Sequence, residues 1–180
     1  MHPIIYDVAV STDGYISGPN GDISQFAQEG PVVEAYFARL ATYATAIMGR
    51  ETYEFSYAFG LKPGENPYKS METLVFSKSM DLQGDHEISV QKSISAGLFA
   101  DLKARAKGPI YLCGGGDFAG ALLDLGVIDL LRLKRAPILL GGGTPLFGRS
   151  TTAPKLRSTK IETYENGYVF QELKILPKAP

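Results

Sequence analysis

Two runs of three glycines constrain the fold of this chain more than any other feature. The glycines at residues 114–116 lie between the apolar run "PIYLC" and the helical pattern "DFAGALLDLG". Those at residues 141–143 follow the apolar run "APILL". A strand that leads through a glycine turn into a helix is typical of α/β proteins, in which ligands bind beyond the carboxyl ends of the strands. We therefore expect both glycine runs at that edge of a sheet.

Strand and helix patterns alternate along the rest of the chain. Apolar, β-branched runs predict strands at 4–10, 45–49, 71–77, 86–90 and 109–113, and helical spacing predicts helices at 31–44, 95–108 and 117–126. In the tail, two strand-like runs flank the turn dipeptide Asn166-Gly167, which indicates an antiparallel hairpin. The sequence thus predicts an α/β fold with a mostly parallel sheet and antiparallel C-terminal strands.

The composition indicates one domain over residues 1–180 and argues against several classes of protein. The chain is 44% hydrophobic and 21% charged, and its net charge of −1 offers no basic field for nucleic acid or an anionic membrane. The N-terminal stretch places Asp7 within an apolar run and has no basic leader, so we expect a cytoplasmic protein without a membrane span. One cysteine, Cys113, and two histidines argue against a metal site.

The second glycine run also resembles a phosphate-binding P-loop. Gly143-x-x-x-x-Gly148-Arg149-Ser150 departs from that motif by arginine in place of lysine. A P-loop needs a helix directly after it, because the N-terminal amides of that helix hold the phosphates. The following segment "TTAPKLRST" contains Pro154 and has no apolar stripe at helical spacing. The pattern therefore argues against a nucleotide triphosphatase.

Three strand ends carry residues suited to an anionic ligand. Gly49, Arg50 and Thr52 open one helix, and a planar guanidinium is a good partner for phosphate. Ser77 and Lys78 follow another strand. Taken singly, each junction is equally typical of a tight turn or a solvated surface, and the glycines of "CGGGDFAG" by themselves leave the same alternative open.

Five segments, taken in order, resemble a known family. They are "STDGYIS", "AIMGRETYE", "LVFSKS", "LCGGGDFAGALLDLGVIDLLRL" and "APILLGGGTPLF". The chain resembles proteins of the dihydrofolate reductase-like fold. It is more similar to the reductase domain at the C-terminal end of the bifunctional riboflavin-biosynthesis deaminase-reductase, and the last two segments are the most specific to that branch. The resemblance covers nearly all of the sequence and implies a three-layer α/β/α fold, NADPH as the cofactor and a homodimer.

The resemblance also implies roles for individual residues. Ser77 and Lys78 would bind the 2′-phosphate of NADPH, and Ala9 and Ile16 would border the nicotinamide. Thr144 would lie beside the cofactor, in the loop of the second glycine run. The remaining phosphate and diphosphate contacts would come from Gly49, Arg50, Thr52, Gly114, Gly115, Gly116, Asp117 and Phe118.

The substrate side departs from both related branches. Val33 aligns with the acidic residue that binds the pterin in folate reductases, with Glu34 one position later, and Asp7 stands where the riboflavin branch commonly has lysine. No His-x-Glu with Pro-Cys-x-x-Cys is present, so the deaminase half is absent. Candidate substrate contacts are Tyr53, Lys134 and Phe147, although Tyr53 also suits a core and Lys134 a solvated strand face.

We therefore expect an NADPH-dependent reductase that transfers hydride to a small pyrimidine-like or other heterocyclic carbonyl or imine substrate. Asp13, Glu34 or a bound water would protonate the product, although the dipeptide Asp13-Gly14 is also typical of a simple turn. A dihydrofolate reductase and a catalytically inactive NADPH-binding module are the alternatives.

Overall fold

The computed structural model describes residues 1–177 and contains an eight-stranded sheet beside a two-stranded ribbon. The strands are, in chain order, β1 (Ile4–Val10), β2 (Tyr15–Ser17), β3 (Thr45–Gly49), β4 (Glu72–Phe76), β5 (Ser89–Gln91), β6 (Ile110–Gly114), β7 (Leu130–Arg135), β8 (Thr144–Pro145), β9 (Leu156–Thr163) and β10 (Val169–Ile175). The helices are α1 (Pro31–Leu40), α2 (Arg50–Phe55), α3 (Ala96–Arg105) and α4 (Gly116–Asp124), with 3₁₀ turns at Pro19–Gly21 and Ser56–Phe59.

The strand order of the large sheet is β5-β4-β3-β6-β1-β7-β10-β9. The strands from β5 to β7 are parallel, whereas β10 runs antiparallel to β7 and β9 antiparallel to β10. The turn at Asn166-Gly167 joins the last two, with Gly167 at a φ of 83°. The predicted α/β fold with a mostly parallel sheet and antiparallel C-terminal strands is confirmed.

Helices cover both faces of the sheet, which gives the three-layer α/β/α arrangement. On one face, Phe99 of α3 and Leu122 of α4 pack in a cluster with Tyr6 of β1. On the other face, Tyr53 of α2 packs in a cluster with Ile5 of β1. Neighbouring residues of one strand serve different layers because strand side chains alternate between faces.

Some element boundaries differ from the sequence prediction. The helix predicted over 31–44 ends at Leu40, because the backbone N–H and hydroxyl of Thr42 both bond to the Arg39 carbonyl and turn the chain toward β3. Val32 is the buried residue of this helix, while Phe37 is 60% exposed. The strand predicted at 86–90 is the shorter β5, and the helix predicted at 95–108 is α3, which Ser95 caps, its Oγ accepting from Leu98 N.

Candidate functional site

A cleft of about 800 Å³ opens beyond the carboxyl ends of β3 and β6. Strands in the middle of a parallel sheet end here and pass directly into α2 and α4, so the glycine turns at these junctions form part of the wall, beside larger side chains such as Phe76 and Phe118. Ten residues that the resemblance assigned to the cofactor line the cleft: Ile16, Gly49, Arg50, Thr52, Gly114, Gly115, Gly116, Asp117, Phe118 and Thr144.

The glycines of this wall allow segments of the chain to approach closely. Gly115 has a φ of 84°, a conformation that other residues rarely adopt, and a Cβ there would lie 2.8 Å from Thr52 Oγ1. A Cβ on Gly116 would lie 2.2 Å from the Pro145 carbonyl oxygen, so the loop after the second glycine run packs directly against the first. As the sequence predicts, no helix follows Gly148 before β9. The two glycine runs therefore build one wall together.

Arg50 connects the cleft to the loop after β4. Its Nη1 donates to Ser79 Oγ at 3.0 Å, and its Nε lies 3.8 Å from the Glu54 carboxylate. Ser77 Oγ accepts from the backbone N–H of Met80, which fixes the turn, and Lys78 is exposed. Ser77 and Lys78 do not line the cleft wall, but the contact from Arg50 to Ser79 brings their loop to its rim.

A second cavity, of about 320 Å³, lies between α1 and the sheet. It shares Val8, Ile16, Ile23 and Cys113 with the larger cleft, so the two spaces have a common wall. Its other walls are mostly apolar and aromatic, formed by Ala9, Phe26, Ala27, Val32, Val33, Tyr36, Phe37, Tyr111 and Tyr168. Val33 and Phe37 of α1 thus line this cavity.

An ion cluster forms the polar part of the second cavity. Lys134 Nζ lies 2.9 Å from Asp7 Oδ1 and 3.6 Å from the centre of the Tyr36 ring. Arg39 Nε donates to Asp7 Oδ2 at 2.9 Å, and the Tyr43 hydroxyl donates to the same oxygen at 3.1 Å. Burial opposes ionisation of Asp7, but the Lys134 and Arg39 charges outweigh it and lower the pKa of the carboxyl. For Lys134 the balance is reversed: burial lowers the pKa of the ammonium group, and the neighbouring Asp7 charge only partly offsets this effect.

Hydroxyl and thiol groups near the cavity are bonded to one another. The Tyr36 and Tyr111 hydroxyls are 2.7 Å apart, and the Tyr68 hydroxyl lies 3.0 Å from Cys113 Sγ. Burial raises the pKa of the Cys113 thiol and of all three tyrosines, so these groups are neutral at pH 7. Sequence reasoning did not identify this cluster, although a charged residue inside an apolar strand, such as Asp7, requires a buried partner.

The sequence profile of the RibD C-terminal domain matches residues 3–170. The chain belongs to the RibD C-terminal domain family. This is a family of NADPH-dependent reductases, which typically binds NADP(H). A relative, YwjB of Bacillus subtilis (strain 168), is 31% identical over 151 residues, which are 83% of this chain and 85% of YwjB, and is described as uncharacterized.

Solved structures agree with this assignment of the RibD C-terminal domain. A Shewanella sp. PV-4 protein provisionally named as a riboflavin biosynthesis protein superposes with a TM-score of 0.81 at 26% identity, over 98% of this chain and 100% of that one. Dihydrofolate reductase from Enterococcus faecalis, complexed with NADP(H) and RAB-propyl, superposes with a TM-score of 0.69 at 15% identity, over 96% of each chain. The dihydrofolate reductase-like fold is confirmed.

The two carboxylates expected to act in catalysis lie outside both cavities of this RibD C-terminal domain. Asp13 is exposed, and its carboxylate accepts from the backbone N–H groups of Leu140 and Gly141 and from Ser11 Oγ. The Ser11 and Gly141 donors lower the pKa of Asp13 to about 2, so it carries no proton to give near neutral pH. Glu34 is exposed on α1 and does not line the second cavity, whereas Val33 does. Neither carboxylate lines a cavity, so the catalytic roles of Asp13 and Glu34 stay predictions.

Two of the three expected substrate contacts line neither cavity: Tyr53 lies in the core, and Phe147 is partly buried. Tyr53 is fully buried, and its hydroxyl accepts from Gly64 N at 2.9 Å and donates to the Glu65 carbonyl at 2.8 Å, which anchors the loop after α2. The Phe147 ring packs edge-on against Tyr6, with centroids 5.7 Å apart. Lys134, in contrast, lines the second cavity as the substrate hypothesis expects.

Residues 1–177 contain neither a candidate metal site nor a membrane-spanning helix. This part of the RibD C-terminal domain contains no group of three or more His, Cys, Asp or Glu side chains placed to hold a metal ion. Within the same residues, every helix is too short or too polar to cross a membrane.

Proposed function

We propose that this protein is an NADPH-dependent reductase that holds the cofactor in the larger cleft and its acceptor in the adjoining cavity. The observation that carries the proposal is the wall common to the two spaces, formed in part by Val8 and Ile16. Hydride transfer needs the donor and acceptor carbons in contact, and two separate sites cannot provide that. A nicotinamide against Ile16 would lie where the two spaces meet.

The chemistry of the cleft wall fits a dinucleotide. The N-terminus of α4 presents backbone N–H groups, and the helix dipole favours a diphosphate there. Arg50 and Thr52 add a cation and a hydroxyl at the start of α2, and Lys78 adds a further exposed cation near the rim for a 2′-phosphate. When bound, NADPH supplies the hydride, so the protein has only to orient the two reactants and keep water out.

The acceptor class that suits this arrangement is a small heterocycle with a reducible C=O or C=N bond, as in the riboflavin-type reductases. A bound water is the remaining candidate for the proton, because Asp13 and Glu34 lie outside the cavities. Dihydrofolate reduction is the weaker alternative. Among the residues described, the one carboxylate in the cavity wall belongs to Asp7, and Lys134 and Arg39 already neutralise it.

The test begins with separate titrations of the protein with NADPH and with NADH. Nicotinamide fluorescence and calorimetric heat report the binding of each cofactor. The proposal expects tighter binding of NADPH, and then single-turnover loss of its absorbance with a pyrimidine or other heterocyclic carbonyl acceptor. Binding without turnover of any acceptor, dihydrofolate included, would favour the inactive NADPH-binding module. Failure of both cofactors to bind would refute the reductase and the module together.

A homodimer is part of the same proposal. Strand β9 forms an edge of the large sheet, and seven of its eight residues are exposed, including Ile161 at 60%. An exposed edge strand with apolar side chains is a common pairing surface. Sedimentation equilibrium measures the oligomeric state. The wild type should be a dimer and an Ile161→Lys variant a monomer, and a monomeric wild type would contradict the proposed homodimer.

A further inference from the structure

We infer that the cavity between α1 and the sheet binds a planar, uncharged carbonyl compound of one or two rings, held by Lys134, and rejects phosphorylated compounds. This inference specifies the acceptor class and in that respect rests on the proposed function. Occupancy of the cavity is nevertheless measurable without any cofactor, so the two ideas can fail separately.

The shape and lining of the cavity limit the ligand to a small apolar body. Its volume of about 320 Å³ is at the low end for small-molecule sites. Phe26 and Tyr168 close one side and Val33 and Phe37 of α1 another, while Tyr36 provides a ring beside Lys134. Flat conjugated rings bury well against such walls, because aromatic contacts add to the hydrophobic gain.

The charges argue against a phosphate group. Among the residues that the structure describes, the charged residues in this cavity wall are Asp7 and Lys134, which are bonded to each other at 2.9 Å. A phosphomonoester carries nearly two negative charges and would be placed next to the buried Asp7 carboxylate with no free cation to balance it. Arg39 is the other cation of the cluster, but it bonds to Asp7 and lies over the Phe170 ring, outside the cavity wall.

A count of donors points to Lys134 as the polar contact. An ammonium group has three N–H donors, of which Asp7 takes one and the face of the Tyr36 ring accommodates another. One N–H is left for a ligand. The hydrogen bond between the Tyr36 and Tyr111 hydroxyls uses one of their two O–H donors, and Lys134 is the stronger donor for a carbonyl oxygen because its hydrogen bond is charge-assisted. A donor that is already paired with a buried carboxylate, in a mostly apolar cavity, selects a neutral acceptor group.

Isatin and isatin-5-sulfonate form a matched pair of probes, because both are planar bicyclic dicarbonyls and differ by one fixed anion. Calorimetry with the full-length protein should detect isatin and show sulfonate binding at least tenfold weaker. Lys134→Met should weaken isatin about tenfold, the effect of one charge-assisted hydrogen bond. Val33→Trp, which fills the cavity from α1, should abolish binding. Lys107→Met, at an exposed position beyond α3, is the matched lysine control and should bind isatin like the wild type.

Equal or tighter binding of the sulfonate, or no binding of isatin to the folded wild type, would overturn the inference. Should Lys134→Met fail to fold, the probe pair and Val33→Trp still decide the question. If the protein binds isatin as expected but does not bind NADPH, the reductase proposal is refuted and the inference about the cavity stands. If the protein binds NADPH tightly but prefers isatin-5-sulfonate to isatin, the inference of an uncharged ligand is refuted and the reductase proposal stands.

Discussion

Lys134 Nζ and Asp7 Oδ1 lie 2.9 Å apart in the wall of the second cavity, although 127 positions separate the two residues in the sequence. Strands β1 and β7 are parallel neighbours in which Asp7 pairs with Arg132 and Ala9 with Lys134. The resemblance to the riboflavin branch predicts lysine at position 7 of this chain, but aspartate stands there. The ammonium group of Lys134, on the adjacent strand, pairs with the Asp7 carboxylate. The cavity keeps a cation, but one that is already neutralised.

Removal of Asp7 should cost more stability than removal of Lys134. Asp7→Asn leaves Lys134 and Arg39 without their shared carboxylate, and an uncompensated buried charge costs about 3 kcal/mol. Lys134→Met leaves Asp7 bonded to Arg39 and Tyr43, so about 1 kcal/mol is expected. Urea unfolding of both variants measures the difference. The exposed pair Arg105–Glu72 provides the control, since Glu72→Gln should change little, and equal costs at Asp7 and Lys134 would contradict this reading.

Lys78→Ala should weaken NADPH and leave NADH almost unchanged. Loss of a charge-assisted hydrogen bond to the 2′-phosphate corresponds to about 1.5–3 kcal/mol, or roughly 10- to 100-fold in affinity. Nicotinamide fluorescence titrations with each cofactor give the ratio. The same substitution at Lys107, an exposed lysine beyond α3, should alter neither affinity. A similar loss for both cofactors would remove Lys78 from the 2′-phosphate site.

Gly116→Ala should disturb the cleft, whereas Gly142→Ala should not. A Cβ on Gly116 would meet the Pro145 carbonyl oxygen at 2.2 Å, a backbone atom that moves only with its loop. Overpacking of this kind typically costs about 1–3 kcal/mol. Gly142 has open space around its Cβ position and no positive φ, so it is the matched control. Thermal unfolding and NADPH titration of the two variants test this contrast, and a Gly116→Ala protein with wild-type stability would show that the loop is free to move.

The stability contributed by Asp13 should disappear in acid. Its folded pKa of about 2 is below the unfolded value of about 3.9, so its contribution is complete above that unfolded value and is lost as the pH falls toward 2. The unfolding free energies of the wild type and of Asp13→Asn should therefore differ at pH 6 and converge near pH 2. Asp101→Asn, at an exposed position of α3, controls for loss of a surface carboxylate. A gap that stays constant with pH would mean that the carboxylate does not hold the loop at Leu140.

Local sequence patterns were enough to predict most strands and helices of the large sheet and its layers, the antiparallel tail and the glycine turn that leads into α4. These features depend on local periodicity, turn chemistry and conformational freedom, which neighbouring residues specify. Tyr53, Asp13 and Lys134 show where that information ends. Each is a polar residue whose role depends on what lies opposite it: a loop carbonyl for Tyr53, two distant amides for Asp13 and the Asp7 carboxylate for Lys134. Tertiary contacts set these partners. The pairing of β1 with β7 brings Lys134 to Asp7 and the amides of residues 140 and 141 to Asp13, and the burial of α2 places the Tyr53 hydroxyl against the loop at Gly64 and Glu65. Burial and pairing of polar groups depend on such contacts and not on the neighbouring residues in the sequence.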